Sequence, residues 1–418
     1  MYRADTTLIK RLNEIRLLNL LREESPISRN ELARRARISK VAASDIVNRL
    51  DRAGFILTVG KGETTRRGGK PPILLKLNPN SGYVVGVEIK RRRARVALGN
   101  VESTVLTSEE VEYAVGTPME QVLEAIFAAI DGMFTTHPVP AERFISIGVA
   151  IPGIVDYQKG ELSYADTLHG WAHKPLATHF ARRYRVPVQL ENDVKVVTLG
   201  ESLLGAGRGV SNMVCLWIGE GVGSGIILDG QLVRGGAGNA GEIGYLEVGY
   251  TLADIGRMQH LYRGQRFLGD LLSECNLQVA LARALGLHLE QLTAERGNFL
   301  SVLRDGDLGN VAVRECLGEY AYPLAALCMA VIKMLNPTLV VLCGDVVEHS
   351  KYLVAKVRKT LVEEMANFPF RPSSVIVGQL RQEAGIKGAI ALALLHIFEP
   401  PVVSSRNHWH LHRLEFNA

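Results

Sequence analysis

The sequence predicts an α/β protein in which a basic winged helix-turn-helix precedes a two-lobed α/β body. Residues 1–80 contain 17 Lys and Arg against 8 Asp and Glu, whereas the remaining residues contain 31 against 35. Apolar residues at helical spacing near the N-terminus give way, after residue 83, to strands that alternate with helices. The 41 glycines show no collagen-like period, so we expect them in turns and ligand-binding loops.

The composition excludes several classes of protein. Five Cys without paired spacing argue against a disulfide scaffold. The longest apolar run, residues 324–332, is too short to span a bilayer, and the charged N-terminus lacks an apolar signal core. A hydrophobic content of 47% supplies enough apolar material for packed cores. We therefore expect a cytoplasmic protein that does not enter a membrane.

Two helices are predicted at the start of the basic region. Apolar residues recur at helical spacing over residues 6–22, and Pro26 then interrupts the pattern. Ser28 and Glu31 have the spacing of a capping box, so a second helix should begin there. The first of these helices is a candidate relay or dimer contact.

A third helix is predicted over residues 41–50, with Ser39 as its N-cap and Gly54 just after its end. The residues expected to face inward are Val41, Ile46, Val47 and Leu50. The turn between the second and third helices is short, which is typical of a helix-turn-helix.

Two predicted strands, 55–57 and 72–77, flank a basic loop and complete the pattern of a winged helix-turn-helix. In this fold the second helix of the motif lies in the major groove and the wing contacts the DNA backbone. The expected DNA-binding residues are Arg29, Ser39, Lys40, Ala43, Ser44, Asn48, Arg66, Arg67 and Lys70. A three-helix bundle with a solvated charged surface is the alternative interpretation.

The body repeats one strand and helix layout, which predicts two similar lobes with a ligand cleft between them. The first run has strands at 83–89, 94–98 and 145–151 and a helix at 119–133. The second run has strands at 213–218, 225–228 and 339–342 and helices at 268–286 and 310–335, and a final helix follows at 385–397. The predicted domains are a winged helix-turn-helix over 1–78, a first lobe over 79–190 plus 385–400, and a second lobe with dimerisation helices over 191–384.

Asn192 and Asp193 follow the predicted strand 188–191 and begin a helix. Ligands of α/β sheets bind at the carboxyl ends of strands, so these two side chains are candidates for ligand contact. Asn and Asp are also good helix N-caps, and this alternative is compatible with the first.

The motifs together resemble the ROK family of repressors and sugar kinases over essentially the whole chain, in the transcriptional repressor branch that includes xylose and N-acetylglucosamine repressors. The motifs that carry the resemblance are Ile27–Ala33, Gly68–Pro72, Ile151–Asp156, Glu191–Asp193 and Gly241–Gly244. The resemblance implies an actin-like, ribonuclease-H-like body, operator DNA as a partner, a small carbohydrate effector in the inter-lobe cleft, and a homodimer or homotetramer. The effector-binding residues that it implies are Gly153, Asn192, Asp193, Glu242 and Tyr245.

Three departures from the family pattern predict that the chain is not an enzyme. The kinases carry Asp-Ile-Gly-Gly-Thr in the hairpin that reads Glu88–Arg92 here, so the glycines that let backbone N–H groups reach phosphates are absent. Glu220 replaces Thr in the second phosphate loop, and Cys343 replaces the first Gly of a pair near the adenine. Asp193, the catalytic base of the kinases, is then retained for sugar binding. The alternative is an ATP-dependent sugar kinase with an attached DNA-binding module.

The zinc cluster of the family is also missing from the sequence. Tyr245 stands where the family has a His, and residues 246–274 contain no Cys, so we expect no metal and no cofactor. The Tyr245 hydroxyl then substitutes for the His, or the pocket binds a different ligand. A repressor that is controlled by a protein partner rather than by a sugar is a further alternative.

Overall fold

In residues 6–63 and 71–77, the winged module at the start of the chain contains three helices and a three-stranded sheet of order β1-β3-β2. A computed structural model describes residues 6–63, 71–252, 254–369 and 373–398. The predicted wing residues Arg66, Arg67 and Lys70 lie outside the described residues. The elements of the module are α1 (Thr6–Glu24), β1 (Ile27–Ser28), α2 (Arg29–Ala36), α3 (Lys40–Arg52), β2 (Ile56–Lys61) and β3 (Ile73–Leu77).

Side chains cap both helices of the helix-turn-helix, as the sequence predicts. Ser28 Oγ accepts a hydrogen bond from the backbone N–H of Glu31 at 3.3 Å, and Ser39 Oγ accepts one from Ala42 at 3.1 Å. The Glu31 carboxylate pairs with Arg34 and Arg35 on its own helix rather than with the backbone of Ser28. The helix start is therefore confirmed, but the reciprocal half of the capping box is replaced by ion pairs.

The first lobe is built on a five-stranded sheet of order β10-β7-β4-β5-β6. Strands β10, β7 and β4 run parallel, whereas β4, β5 and β6 form an antiparallel meander. Helices α4 and α5 cover one face of this sheet. The elements are β4 (Tyr83–Ile89), β5 (Arg93–Asn100), β6 (Val105–Glu112), α4 (Met119–Thr136), β7 (Phe144–Ile151), β8 (Ile154–Asp156), β9 (Glu161–Tyr164), α5 (Leu176–Tyr184) and β10 (Val188–Asn192).

The second lobe repeats this layout with a sheet of order β13-β12-β11-β14-β15. Its strands are β11 (Met213–Ile218), β12 (Val222–Leu228), β13 (Gln231–Leu232), β14 (Leu339–Cys343) and β15 (Ser374–Val377). Its helices are α6 (Asp193–Leu204), α7 (Val248–Thr251), α8 (Leu268–Leu271), α9 (Glu274–Ala284), α10 (Leu289–Thr293), α11 (Arg296–Leu308), α12 (Val311–Leu335), α13 (Asp345–Glu348) and α14 (Lys351–Glu364). The last helix of the chain is α15 (Ala384–Phe398). The domain limits proposed from the sequence stay a prediction.

Helices α6 and α15 lie between the two sheets and touch backbone to backbone. A Cβ atom on Gly388 would lie 2.0 Å from the carbonyl oxygen of Val196, and one on Gly200 would lie 2.7 Å from that of Ala384. Only glycine permits so close an approach. The sequence of these two helices therefore decides how tightly the two lobes join.

The C-terminal end of α15 packs on α1 of the winged module. Asn19 Nδ2 donates a hydrogen bond to the carbonyl oxygen of Phe398 at 2.8 Å, and the Arg22 guanidinium lies 4.3 Å from the centre of the Phe398 ring. Apolar residues of α1, β4 and α15 form one continuous core. The winged module is thus joined to the body through α15.

Two further features differ from a simple helical pattern. The helix predicted over 268–286 divides into α8 and α9, because Ser273 Oγ caps a new helix by accepting from the N–H of Asn276 at 3.1 Å.

Helix α12 is long and apolar enough to cross a membrane by composition alone. However, 72% of its apolar stretch is buried inside the protein, as in a core helix.

Candidate functional site

The exposed face of α3 is the candidate DNA-binding surface. Ser39, Lys40 and Asn48 are exposed, and Ser44 is partly buried. Arg29 Nη1 on α2 donates a hydrogen bond to Asn48 Oδ1 at 2.8 Å, so two of the predicted contact residues lie side by side. This surface carries cations and short polar side chains that suit phosphates and base edges.

The predicted phase of α3 was wrong at two positions. Ala43 is buried rather than exposed to DNA, and Val41 is 72% exposed rather than inward-facing. The buried stripe is Ala43, Ile46, Val47 and Leu50, which follows the i, i+3, i+4, i+7 spacing of one helix face. Val41 falls outside this stripe, so it joins the exposed face and Ala43 leaves it.

The predicted effector site includes the point where β10 ends and α6 starts. Asn192 Oδ1 accepts hydrogen bonds from the N–H groups of Val194 and Lys195 at 3.0 and 3.1 Å, which confirms that Asn192 is the N-cap of α6. Its Nδ2 donates to the carbonyl oxygen of Gly153 at 2.9 Å. The structure thus brings together two residues that the sequence places 39 positions apart.

Gly153 occupies a position that requires glycine. Its φ is +113°, and a Cβ atom there would lie 2.2 Å from the carbonyl oxygen of Tyr164. The turn therefore lets the chain pass directly beside β9 and bring its carbonyl to Asn192.

Asp193 is partly buried at the first turn of α6. Burial raises the pKa of its carboxyl to about 6, while the Lys90 ammonium and a hydrogen bond from the N–H of Val194 favour the charged form. The carboxylates of Glu88 and Glu242 add to the rise. Asp193 and Glu242 therefore lie close enough to influence each other across the cleft.

Glu242 enters the cleft from a glycine-rich loop, residues 235–241. The carbonyl oxygen of Gly241 accepts hydrogen bonds from the N–H and the Oγ of Ser224 at 3.0 and 2.9 Å. Burial raises the pKa of Glu242, and the ammonium of Lys195 opposes that rise. The carboxylate is thus placed by a loop anchored to β12.

Tyr245 lies at the exposed rim of the predicted effector site. It ends the short 3-10 turn Ile243–Tyr245, is 50% exposed, and makes an edge-on contact with the Phe267 ring at 5.9 Å. Burial raises the pKa of its hydroxyl, as do the carboxylates of Asp166, Glu242 and Asp270. Tyr164 donates a hydrogen bond to Asp166 beside this rim, and the sequence carried no signal that singled out either residue.

Two cations near the predicted effector-binding residues, Arg234 and Lys195, were also missed from the sequence. Arg234 Nε lies 2.6 Å from Glu191 Oε2, and the Arg234 guanidinium lies 5.0 Å from the centre of the Tyr157 ring. Lys195 is buried and donates a hydrogen bond to the carbonyl oxygen of Gly238. The only signal for Lys195 was a charged residue inside an apolar helical stretch.

Paired side chains occupy the hairpin after β4 and the segment around Gly344. Lys90 Nζ lies 2.9 Å from Glu88 Oε1 and 5.9 Å from the centre of the Trp217 ring on β11. Arg296 bridges Glu274 and Asp345 next to Gly344, with Nη2 2.8 Å from Glu274 Oε2. Over residues 6–63, 71–252, 254–369 and 373–398, no three His, Cys, Asp or Glu side chains form a metal-binding group.

Comparison with known proteins agrees with this architecture. A "Winged helix-turn-helix DNA-binding" profile matches residues 10–56, and the xylose repressor of Caldicellulosiruptor bescii is 23% identical over 94% of this chain and 98% of its own length. The crystal structure of a ROK family transcriptional regulator, a homologue of the Escherichia coli MLC protein, superposes with a TM-score of 0.77. It is 22% identical and covers 94% of this chain and 98% of its own.

A kinase structure shares the fold of the body. A ROK family glucokinase from Streptomyces griseus, in complex with glucose and AMPPNP, has a TM-score of 0.61 and 24% identity. The match covers 75% of this chain and 99% of the kinase. The profile of the ROK family matches residues 84–395, which is most of the sequence. The chain belongs to the ROK family.

Proposed function

We propose that the protein is a sugar-responsive transcriptional repressor without kinase activity, which binds operator DNA through its winged helix and a carbohydrate in the inter-lobe cleft. The observation that carries the proposal is one path of packed helices. Helix α6 begins at the effector-binding residues and packs on α15, and α15 packs on α1 of the winged module. Sugar and operator binding are then coupled, and the coupling is reciprocal.

The DNA-binding part of the proposal rests on α3. Lys40 and Arg29 supply positive charge, and Ser39, Ser44 and Asn48 supply short hydrogen-bonding side chains. Relatives of similar length are named xylose repressors, which supports a role at an operator.

Pairing of two chains would match a palindromic operator, as in other helix-turn-helix proteins. Large apolar side chains exposed on the helices of the second lobe support a homodimer or homotetramer; they are Leu308, Val311, Met334 and Val362. An operator-binding protein of this kind acts in the cytoplasm.

The effector part of the proposal rests on the carboxylates of Asp193 and Glu242 and on the ring of Tyr245. Asn192 uses its amide oxygen to cap α6, so the carboxylates of Asp193 and Glu242 are the main acceptors for sugar hydroxyls. Tyr245 offers an exposed ring at the rim, and Gly153 brings backbone polar groups to the same place. This combination of acceptors and one aromatic face suits a polyhydroxylated ring.

The kinase alternative is disfavoured by the side chains in the nucleotide half of the cleft. Lys90 pairs with Glu88 where the kinases have a glycine hairpin, and Arg296 links Glu274 to Asp345 beside Gly344. A phosphate loop needs exposed backbone N–H groups, which long paired side chains obstruct.

The test is the effect of sugars on operator affinity. A duplex selected by the protein from random DNA is titrated by fluorescence anisotropy, with and without D-xylose, D-glucose or N-acetyl-D-glucosamine. We expect one sugar to change the operator affinity, and Asp193→Asn and Glu242→Gln to abolish that change. If no sugar changes the affinity, induction by a sugar is wrong and control by a protein partner becomes the better hypothesis.

The kinase alternative has its own assay. The wild-type protein is incubated with ATP and each sugar of the same panel, and ADP formation is followed. We expect no turnover above background. Turnover that disappears in Asp193→Asn would overturn the proposal.

A further inference from the structure

Lys195 is a buried lysine that the proposed function does not yet use. Its side chain is 2% exposed, and it lies on α6 two residues after Asp193. Burying an ammonium group is costly unless the group is hydrogen-bonded and paired with opposite charge. The charge of Lys195 must therefore be compensated nearby.

One partner of Lys195 is the glycine-rich loop 235–241. Lys195 Nζ donates a hydrogen bond to the carbonyl oxygen of Gly238. Gly238 has a φ of +81°, and a Cβ atom there would lie 2.7 Å from the carbonyl oxygen of Val155 on β8. The middle of the loop is thus held between α6 and β8, and its end is held by Ser224 at Gly241.

The charges around Lys195 come from three side chains. Burial lowers the pKa of Lys195 and the Arg234 guanidinium lowers it further, whereas the carboxylates of Glu191 and Glu242 raise it. Glu191 already has an ion pair with Arg234. Glu191 and Glu242 therefore both offset the charge of Lys195, and Glu242 lies directly after the loop that Lys195 holds.

We propose that Lys195 is a positioning residue for the effector, which ties the helix carrying Asp193 to the glycine-rich loop that leads into Glu242. The proposal rests on the proposed function, because it assigns Lys195 to the same sugar site. A sugar that bridges Asp193 and Glu242 needs both carboxylates at a fixed separation, and Lys195 sets that separation without touching the ligand.

The titratable groups that bear on the site come from several elements. Lys195 and Asp193, both on α6, lie near Glu242. Tyr245, three residues after Glu242, also lies near it. Asp193 faces Glu88 near the end of β4 and Lys90 directly after that strand. Since Lys195 is the described cation that favours the charged form of Glu242, its removal should raise the pKa of Glu242. The positions of Glu88 and Lys90 should not change.

The first test needs no sugar. Hydrogen exchange of the backbone over 235–242 and the ¹³C titration of the Glu242 carboxyl are measured in the full-length protein, with Glu242→Gln to assign the resonance. In Lys195→Met we expect about tenfold faster exchange, the effect of losing one charge-assisted hydrogen bond, and a higher pKa for Glu242. Wild-type exchange together with an unmoved titration would overturn the proposal.

Two further variants distinguish the hydrogen bond of Lys195 to Gly238 from the charge of Lys195, and both of these from the general effect of replacing a lysine. Lys359→Met removes an exposed lysine of α14 that pairs with Glu363, and it should change neither measurement. Lys195→Gln keeps a hydrogen-bond donor but carries no charge, so it should still raise the pKa of Glu242. If Lys195→Met fails to fold, Lys195→Gln decides the proposal, and an unmoved Glu242 titration in it would overturn the proposal.

The second test uses a sugar of the panel above that binds the wild type. In Lys195→Met we expect a dissociation constant about tenfold larger, with its pH dependence displaced to higher pH. A merely structural role would weaken binding equally at every pH, which would overturn the positioning role and leave the proposed function intact. If no sugar binds the wild type, the proposed function fails, and the exchange and titration measurements still decide the role of Lys195.

Discussion

Arg234 and Glu191 form an ion pair that joins the two lobes directly behind the cleft, with Arg234 Nε 2.6 Å from Glu191 Oε2. Glu191 is 2% exposed, and its other carboxylate oxygen accepts the backbone N–H of Asn192 at 3.0 Å. The pair therefore links the second lobe to the strand end that presents Asn192 and Asp193. Its position makes the alignment of the lobes depend on charge as well as on packing.

Removal of one partner of this pair should destabilise the protein. Arg234→Met removes the ion-pair partner of the buried Glu191 carboxylate, and we expect a loss of about 2–3 kcal/mol, below the full range because Arg234 is partly exposed. The double variant Glu191→Gln with Arg234→Met should recover much of that loss. Urea unfolding followed by circular dichroism measures both, and purely additive losses would contradict a direct interaction.

The close contact of α6 and α15 predicts a large effect at Gly388. In Gly388→Ala the new methyl group would lie 2.0 Å from the carbonyl oxygen of Val196, so the helices must separate, and we expect a loss of about 3 kcal/mol. Gly132→Ala on α4 is the matched control, since no atom lies within 4 Å of its Cβ position, and it should stabilise by about 0.5–1 kcal/mol. Equal unfolding free energies for the two variants would contradict the packing described for α15.

The raised pKa of Asp193 predicts how the stability of the protein changes with pH. Its pKa is raised to about 6 in the folded protein, so the folded state binds more protons than the unfolded state between about pH 4 and pH 6. The contribution of Asp193 to stability is therefore present at low pH and is lost as the pH rises through about 6. Relative to wild type, Asp193→Asn should gain on the order of 2 kcal/mol in unfolding free energy from pH 4 to pH 7.

Urea unfolding of both proteins at pH 4, 5, 6 and 7 measures this difference. Other carboxyl groups titrate in both proteins and cancel when the two curves are subtracted. A difference that does not change with pH would mean that the Asp193 carboxyl titrates in its ordinary range.

The exposed position of Lys40 at the start of α3 predicts that this residue contributes to the salt dependence of operator binding. If Lys40 contacts a phosphate, Lys40→Ala should weaken binding to all sequences and reduce the slope of log affinity against log salt by about 1. Fluorescence anisotropy between about 50 and 200 mM salt measures the slope. Lys359→Ala on α14 is the control, and an unchanged slope for Lys40→Ala would mean that α3 does not lie against the backbone.

The local elements were largely predictable because they depend on residues that are close in sequence. Ser39 caps α3, and Gly54 follows its end with a φ of +73°, as expected from their residue types. Strands β4 and β11 begin and end at the predicted residues. The split of the helix predicted over 268–286 was not foreseen, because the apolar pattern continues through Ser273 while its hydroxyl starts a new helix.

The candidate site was only partly predictable, for a different reason. Motifs in the sequence identified Asn192, Asp193 and Glu242 as candidates. No motif identified Arg234 and Lys195, the cations that lie next to them. Arg234 is 43 residues from Glu191, and Lys195 is 43 residues from Gly238. No spacing rule connects such pairs, because their contact depends on how the lobes pack.

By itself, the sequence determined the basic winged module, the repeated α/β layout and the family motifs, since periodicity, caps and charge act over a few residues. The tertiary structure decided the phase of α3, where Val41 is exposed and Ala43 buried, and the backbone contact of α6 with α15. It also decided that Lys195 and Arg234 lie next to the predicted effector-binding residues. These features arise because burial and ion pairing depend on distances in space, which residues far apart in the chain acquire only when the sheets and helices pack together.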